Sequence, residues 1–469
     1  MPETDRRERN PWLVLAICCM SLLIVGVDIT IVNVALPSIR RDLDASLSGL
    51  QWTVDAYTLV LGSLLLASGA MADRFGRRRI FQIGLALFTL GSLLCSLADG
   101  TGELIAFRCL QAVGGSMLNP VALSIISNTF TEPGERARAM GVWGATVGIS
   151  LALGPVLGGV LVDGVSWRAI FWVNVPIGLA AIALTQLFVP EHRAQSARRF
   201  DPWGLGLTIL MLATLIYGVI EGPADGWGSP TIIAMFVTSI AAAVALFLVE
   251  THRREPLIEM RFFRSRPFSG AAINATLAFT AMGGFLFLNT LYLQETRGYS
   301  ALDAGLLTLP LALMIVIFAP VSGRLVARRG PRLPLVLAGF AIALGTGLLL
   351  ALGDHTSIAY LLAAYVIFGF GFGLVNAPIS TAAVSGMPNN QAGVAASIAS
   401  AGRQIGSTLG VAIAGSIVAG ASAAELPAAS HAAWAVLAGA GLMVVVVGLL
   451  TTSAHARKEA ERIRDSLAS

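Results

Sequence analysis

Three charged side chains interrupt stretches of sequence that are otherwise apolar. Asp28, Asp55 and Arg108 each lie several residues inside a run long enough to form a buried helix. Charges in such surroundings are costly to keep and usually serve a function, often the binding and release of protons. We therefore treat these three residues as candidates for proton coupling. A fourth acid, Glu221, lies near the end of its run, and we expect it to border a loop.

The spacing of the three charges predicts that they meet. At about 1.5 Å per helical residue, Asp28 lies about 14 Å from Pro37, and Asp55 and Arg108 each lie about 9 Å from the start of their runs. We expect Arg108 to pair with one carboxylate or with polar side chains such as Asn33 and Gln111. Burial and such a partner would tune the proton affinity of an acid. Either Asp28 or Asp55 can carry the proton.

The composition places these residues in a membrane. The chain has 469 residues, of which 55% are hydrophobic and 12% charged, about half the charged fraction of a soluble protein. Apolar runs of about twenty residues, the length that crosses a bilayer, recur about fourteen times. The sequence therefore predicts an all-α polytopic membrane protein, whose constant partner is the lipid bilayer.

Basic residues predict the orientation of the chain. An even number of spans puts both ends of the chain on one side, and that side then holds most of the 31 basic residues. The opposite side holds only Arg40, Arg41, Arg168 and Arg297. Because cytoplasmic loops are enriched in lysine and arginine, we expect both termini in the cytoplasm. A missed span would reverse every later loop. The preference for arginine over lysine favours a bacterial plasma membrane.

Two arginine-glycine segments indicate an internal repeat. "GAMADRFGRRR" (69–79) aligns with "GRLVARRGPRL" (323–333), which pairs Gly69, Arg74, Gly76 and Arg78 with Gly323, Arg328, Gly330 and Arg332. Each segment follows the second span of a six-span block. This predicts an N-terminal six-helix bundle (1–190), a linker with two extra spans (191–266) and a C-terminal six-helix bundle with a tail (267–469). Such repeats place a site between the two halves. The alternative is a chance likeness between two arginine-rich loops.

Four motifs in order carry a resemblance to a known family. They are "VDITIVNVALP" (27–37), "GAMADRFGRRR", "RCLQAVGGS" (108–116) and "GISLALGPVLGG" (148–159). Nearly the whole chain resembles the major facilitator superfamily, and within it the fourteen-span drug:proton antiporters. The resemblance implies the major facilitator fold, with two six-helix bundles and two inserted helices. It also implies export of lipophilic drugs or antibiotics by alternating access, driven by the proton gradient without a cofactor. Because Asp28 lies in the first of these motifs, we favour it over Asp55 as the proton carrier. Met71 and Ala112 depart from the family's usual residues, and Ala327 stands where the repeat of Asp73 would be.

The resemblance also implies roles for two of the motifs. In the loop motif, Asp73 with Arg77 and Arg78 would hold the cytoplasmic side shut while the site faces outward, together with Gly69, Arg74 and Gly76. The alternative is that these arginines only anchor topology. The span-5 antiporter motif would pack on the other half and prevent proton leak, through Gly148, Gly154, Pro155, Gly158 and Gly159. Small residues permit close helix packing and proline bends a helix, so ordinary packing is the alternative.

The substrate site is expected to be an apolar cavity with a few polar groups, as suits a lipophilic compound. Its candidate residues are Asn33, Tyr57, Gln111, Asn289, Tyr292 and Asn376. Arg403 is expected near the cytoplasmic end, in a structural role.

The sequence lacks the motifs of nucleotide-driven pumps and of metalloenzymes. The single lysine, Lys458, is not part of a phosphate-binding glycine loop, and the five histidines form no HExxH motif. We expect no enzyme activity, no bound metal, no nucleic-acid partner and a monomer. Export of a specific metabolite or amino acid, proton symport, and a non-transporting sensor on the same fold stay open. The sequence does not name the compound.

Overall fold

The computed structural model describes residues 10–191, 201–253, 259–385, 387 and 392–453. Every regular element among these residues is a helix, which confirms the all-α prediction. The helices are α1 (Pro11–Asp42), α2 (Leu47–Phe75), α3 (Arg77–Ser96), α4 (Thr101–Thr129), α5 (Pro133–Gly164), α6 (Ala169–Trp172), α7 (Asn174–Phe188), α8 (Pro202–Asp225), α9 (Pro230–His252), α10 (Arg266–Leu291), α11 (Ala301–Arg329), α12 (Arg332–Leu348), α13 (Ile358–Val384), α14 (Ala392–Ile417) and α15 (Leu426–Thr451). A π-helical turn, Tyr292–Thr296, extends α10.

The number of spans is slightly lower than expected. Among the described residues, twelve helices are long and apolar enough to cross a membrane. The count rises to thirteen if α2, which bends by 52° after Leu65, is one span. Helix α14 is not among them, since Arg403 and Gln404 lie near its middle. The prediction of fourteen spans is therefore not confirmed by this criterion.

Local sequence signals explain where the helices begin and end. Helix α2 stops at Gly76, whose φ of 107° suits glycine, and α3 begins at the next residue. In the second arginine-glycine segment, α11 stops in the same way at Gly330, with φ 76°. At the other end of α2, the side chain of Ser46 caps the first turn. Helix α1 continues through Pro37 to Asp42.

The helices pack as two groups that meet along two seams. Helices α1–α7 pack on one another and α10–α15 do the same. The groups meet where α5 lies against α11 and where α2 lies against α14. Glycines permit the close approach. A Cβ at Gly62 of α2 would lie 2.8 Å from Cβ of Gln404 on α14.

The helices between the two groups form a hairpin that covers one seam. Helices α8 and α9 pack on each other, and α8 also contacts α2 and α14. An apolar cluster joins them, formed by Leu59, Leu212, Ile216, Ile220 and Ala412. The indole Nε1 of Trp52 donates a hydrogen bond of 2.8 Å to Glu221 on α8. The hairpin therefore shields the α2–α14 seam.

Some predictions concern residues outside the described ranges. The residues concerned are 1–9, the segments 192–200 and 254–258, and the tail 454–469. The placement of the termini and the boundaries of the three sequence regions stay predictions.

Candidate functional site

A buried polar network joins four helices of the first group around Asp28 on α1. Its carboxylate accepts hydrogen bonds from Arg108 Nη1 at 2.5 Å, from Gln111 Nε2 at 2.8 Å and from Asn174 Nδ2 at 3.3 Å. Ser92 on α3 accepts further bonds from Gln111 and Asn174. The carboxylate is therefore surrounded by donors from α4 and α7.

Arg108 has several partners besides Asp28. Besides Asp28 it donates to Gln111 Oε1 at 2.7 Å and to the Thr53 carbonyl at 3.2 Å. Its guanidinium lies 4.0 Å from the centre of the Tyr57 ring, a cation–π contact. The exposed fractions of the Arg108 and Asp28 side chains are 1% and 0%. Ion pairs buried to this degree persist only when their remaining hydrogen bonds are also made.

Of the partners expected for Arg108, Asp28 and Gln111 are confirmed and Asn33 is not. Arg108 meets Asp28 and Gln111. Asn33 instead donates to the Ile29 carbonyl of its own helix at 3.0 Å, and its Oδ1 has no hydrogen-bond partner in the described ranges. The sequence reasoning missed Asn174, although a lone amide in the apolar run "FWVNVPIG" was a usable signal.

The second buried acid, Asp55, has a different environment. It is fully buried, and neither carboxylate oxygen has a hydrogen-bond partner among the described residues. The residues one turn before and one turn after Asp55 contact α14. Gln51 Nε2 donates to the Ala412 carbonyl at 3.0 Å, and the Thr58 hydroxyl lies 2.7 Å from the Thr408 hydroxyl. Trp52, also in the turn before Asp55, donates a hydrogen bond to Glu221 of α8. Asp55 therefore lies where α2, α14 and α8 meet.

The charged segment that spans the end of α2 and the start of α3 is tied to its own group of helices. Arg77 Nη2 donates to Asp73 at 3.1 Å, one helical turn away. The Arg78 backbone N–H donates to Glu191 Oε1 at 3.2 Å, and a Cβ at Gly76 would lie 2.5 Å from that same oxygen. Arg74 is exposed and lies over the ring of Phe75. Sequence reasoning missed Glu191 as the anchor of this segment.

The glycine motif of α5 faces two neighbours rather than one. A Cβ at Gly154 would collide with Thr30 of α1, and a Cβ at Gly158 would lie 2.8 Å from Ile31. Three other members of the motif face α11 of the second group. They are Gly148 against Val316, Pro155 against Gly305, and Gly159 against Leu302. The packing on the other half that the resemblance implied thus holds for part of the motif.

The two ends of the molecule differ in how the groups meet. At the end that carries Arg40, here called the Arg40 end, Arg40 pairs with Glu295 at 2.9 Å and Asp163 accepts from the Leu302 backbone at 2.8 Å. At the end that carries Asp73, the Asp73 end, a Cβ would meet open space at four glycines of α2, α5 and α11, namely Gly69, Gly141, Gly144 and Gly323. The groups are therefore closed together at the Arg40 end and apart at the Asp73 end.

The candidate cavity residues do not form one cluster. Tyr57 and Gln111 belong to the Arg108 network. Asn289 accepts a hydrogen bond from the Tyr365 hydroxyl, and Tyr292 donates one to the Gly353 carbonyl at 2.8 Å, both inside the second group. Asn376 on α13 is partly exposed. Its cavity role, like the other residue roles, stays a prediction.

Comparison with known proteins identifies the family. Residues 18–411 match the Major Facilitator Superfamily. The chain belongs to this family. It is 38% identical to the multidrug resistance protein Stp of Mycobacterium tuberculosis (strain CDC 1551 / Oshkosh), over 88% of this chain and 76% of that protein. It is 35% identical to the tetracenomycin C resistance and export protein of Streptomyces glaucescens, over 89% and 78%.

Further comparisons agree with this assignment. The multidrug efflux pump LfrA of Mycolicibacterium smegmatis is 31% identical over 89% of this chain and 82% of that protein. Among solved structures, the D-xylose-proton symporter matches with TM-score 0.65 and 15% identity, over 94% and 97% of the two chains. A bacterial homolog of the human lysosomal transporter Spinster matches with TM-score 0.62 and 17% identity, over 98% of both. The chain is thus a multi-span helical transporter with drug-resistance relatives.

Proposed function

We propose that this chain exports lipophilic drugs or antibiotics across the bacterial plasma membrane in exchange for protons, by alternating access. The relatives support the drug class, because three of them carry resistance, export or efflux in their names. The D-xylose-proton symporter shares only 15% identity and supports the fold, so it does not favour sugar uptake. No covalent chemistry is part of this proposal.

The observation that carries the proton coupling is the environment of Asp55. An unpaired carboxylate is costly to bury, whereas the protonated acid carries no charge. Asp55 lies on the seam between the halves, so separation of α2 from α14 would admit water to it. Ionisation would then become inexpensive, and proton binding would be linked to the motion of the halves. Asp28 is already paired with Arg108 and is the less suitable carrier, which reverses the preference drawn from the motif.

Two finer parts of the proposal concern topology. We propose fourteen spans, with α6 and α7 together as the sixth and α14 as the thirteenth. The packing of α14 lengthwise between α10 and α2 supports this count. We also propose that the Asp73 end is cytoplasmic, because the arginines of both arginine-glycine segments lie there. In that orientation the structure faces inward.

Uptake into inverted membrane vesicles tests the proposal. Vesicles that contain the wild-type protein should accumulate ethidium when a proton gradient is imposed, and ionophores that collapse the gradient should abolish accumulation. Asp55→Asn should abolish gradient-driven uptake while the protein still reaches the membrane. Asp99→Asn, at an exposed loop acid, is the matched control and should behave like wild type.

Two results would contradict the proposal. Ethidium accumulation that continues after the gradient and the voltage are collapsed would exclude proton coupling. Full gradient-driven uptake by Asp55→Asn would remove Asp55 as the carrier and return the role to Asp28.

A further inference from the structure

Arg403 lies inside the second group of helices and has no acidic partner among the residues that the structure describes. Arg403 of α14 donates to the Ser380 hydroxyl of α13 at 2.8 Å and to the Ser400 hydroxyl at 3.3 Å. Its Nε is buried and has no hydrogen-bond partner within the part of the chain that the structure describes. No carboxylate among the described residues lies within ion-pair distance of it. Arg108, which lies deep in α4, pairs instead with Asp28.

Helix geometry places Arg403 on the inner face of α14. Gly402 lies against α10, and Gln404 lies against α2. Successive residues turn by about 100°, so Arg403 projects between these two contact faces. The opposite side of α14, which includes Ile405, contacts the α8–α9 hairpin. Arg403 therefore points toward the space between the two halves, which is open at the Asp73 end.

The groups around Arg403 are polar and accessible. Ser380 is exposed, although it lies within a membrane-spanning helix. Asn376, one helical turn earlier on α13, is partly exposed. A ligand that enters from the Asp73 end would meet the guanidinium, two hydroxyls and one amide on the same wall.

No acid of the neighbouring helices can neutralise Arg403 in this structure. Helices α10 and α13 contain no acidic residue, and α2 contains only Asp55 and Asp73. Helix α8 also contacts α14, but its acids lie at its far end, where Glu221 accepts a hydrogen bond from Trp52 at the Arg40 end of α2. Measured from Gly62, which lies beside Gln404, Asp55 is about 10 Å along α2 in one direction and Asp73 about 16 Å in the other. The charge of Arg403 is thus available to a ligand.

We propose that Arg403, Ser380 and Ser400 form an anion-binding subsite that takes a carboxylate of the transported compound. A guanidinium offers several N–H donors in one plane, which matches the two oxygens of a carboxylate. A cation without a counter-charge is costly in this environment, and an anionic ligand offsets that cost. The subsite deepens the proposed function and rests on it, because it adds a substrate class to the same cavity.

Uptake of two fluorescent probes of opposite charge tests the subsite. Fluorescein is an organic anion with a carboxylate, and ethidium is an organic cation. Wild-type inverted vesicles should take up both in a saturable manner. Arg403→Gln should raise the half-saturation concentration for fluorescein by about tenfold or more, since a hydrogen-bonded charged contact is lost. It should leave the value for ethidium within about twofold, because a cation gains nothing from Arg403.

Matched variants separate recognition from structure. Arg403→Lys keeps the charge and should recover part of the fluorescein affinity, although it cannot form the paired contact. Arg329→Gln removes an exposed arginine at the same end and should change neither probe.

Three outcomes would overturn the inference. If Arg403→Gln weakens uptake of fluorescein and ethidium equally, the residue is structural. If wild-type protein transports ethidium and not fluorescein, the subsite is wrong and the proposed exporter stands. If neither probe is transported, the proposed function itself fails.

Discussion

The same substitution should destabilise the protein strongly at one buried acid, Asp28, and very little at the other, Asp55. Asp28→Asn removes the charge that compensates Arg108, and it places an amide N–H₂ among donors from Gln111 and Asn174. Breaking a buried ion pair on one side costs about 3–5 kcal/mol of folding stability, because the other charge stays buried. Asp55→Asn breaks no hydrogen bond or ion pair among the described residues. We expect it to change stability by no more than about 1 kcal/mol.

Thermal unfolding of the purified protein in detergent measures both effects. A maleimide dye that fluoresces on reaction with thiols reports unfolding, because Cys18 and Cys95 are buried in the first group of helices. The unfolding midpoint of Asp28→Asn should lie well below that of wild type, and that of Asp55→Asn should lie close to it.

A double-variant cycle checks that the loss comes from the ion pair. Combining Asp28→Asn with Arg108→Gln removes both charges, so the double variant should be more stable than Asp28→Asn alone. Equal losses of stability in the two single variants, Asp28→Asn and Asp55→Asn, would refute the reasoning, since they would mean that Asp55 also has a structural partner. An unchanged midpoint for Asp28→Asn would refute it as well.

Three glycine substitutions test the packing around the seams. Gly76→Ala should cost about 1–3 kcal/mol, because φ is 107° and the new Cβ would lie 2.5 Å from Glu191; an unchanged melting midpoint would contradict this. Gly69→Ala meets open space in this structure and should melt no lower than wild type, whereas its transport should fall if α2 closes on a neighbour during the cycle. Gly159→Ala would collide with the backbone at Leu302 and should loosen the closed Arg40 end. Proteoliposomes containing it should lose an imposed pH gradient faster than wild type, and equal rates would show that this contact does not form the seal.

Much of the site could be predicted because isolated charges in apolar runs are rare. Asp28 and Arg108 are identifiable because a charge is costly to bury within the membrane. A cation and an acid at similar depth lower that cost by pairing. The glycine that ends α2 was predictable for a related reason, since a helix that stops one residue before the next begins needs the backbone freedom of Gly76. These features depend on local sequence and on a single physical penalty.

The missed residues depend on which helices are neighbours. Asn174 is a neutral amide, which a span tolerates, and its role appears only when α7 is known to lie beside α1 and α3. Glu191 belongs to a loop, and nothing in its local sequence points to the segment around Gly76. Arg403 was expected near a helix end in a structural role, because sequence reasoning did not establish that its direction on α14 faces the space between the halves.

The positions of Asp55 and Arg403 along one seam suggest how the two sites would alternate. The α2–α14 contact extends from Gln51 at the Arg40 end to Gly62 beside Gln404, and the halves are apart beyond that point. Helices are stiff, so closing the Asp73 end requires the Arg40 end to separate. Asp55 lies on the closed side of this pivot, and Arg403 lies where the open side begins. A single rocking motion would therefore expose the acid to one face of the membrane while it shuts the anion subsite from the other. Exchange of a proton for cargo requires that the two sites open in turn. The positions of Asp55 on α2 and Arg403 on α14 would make one rocking motion open them in turn.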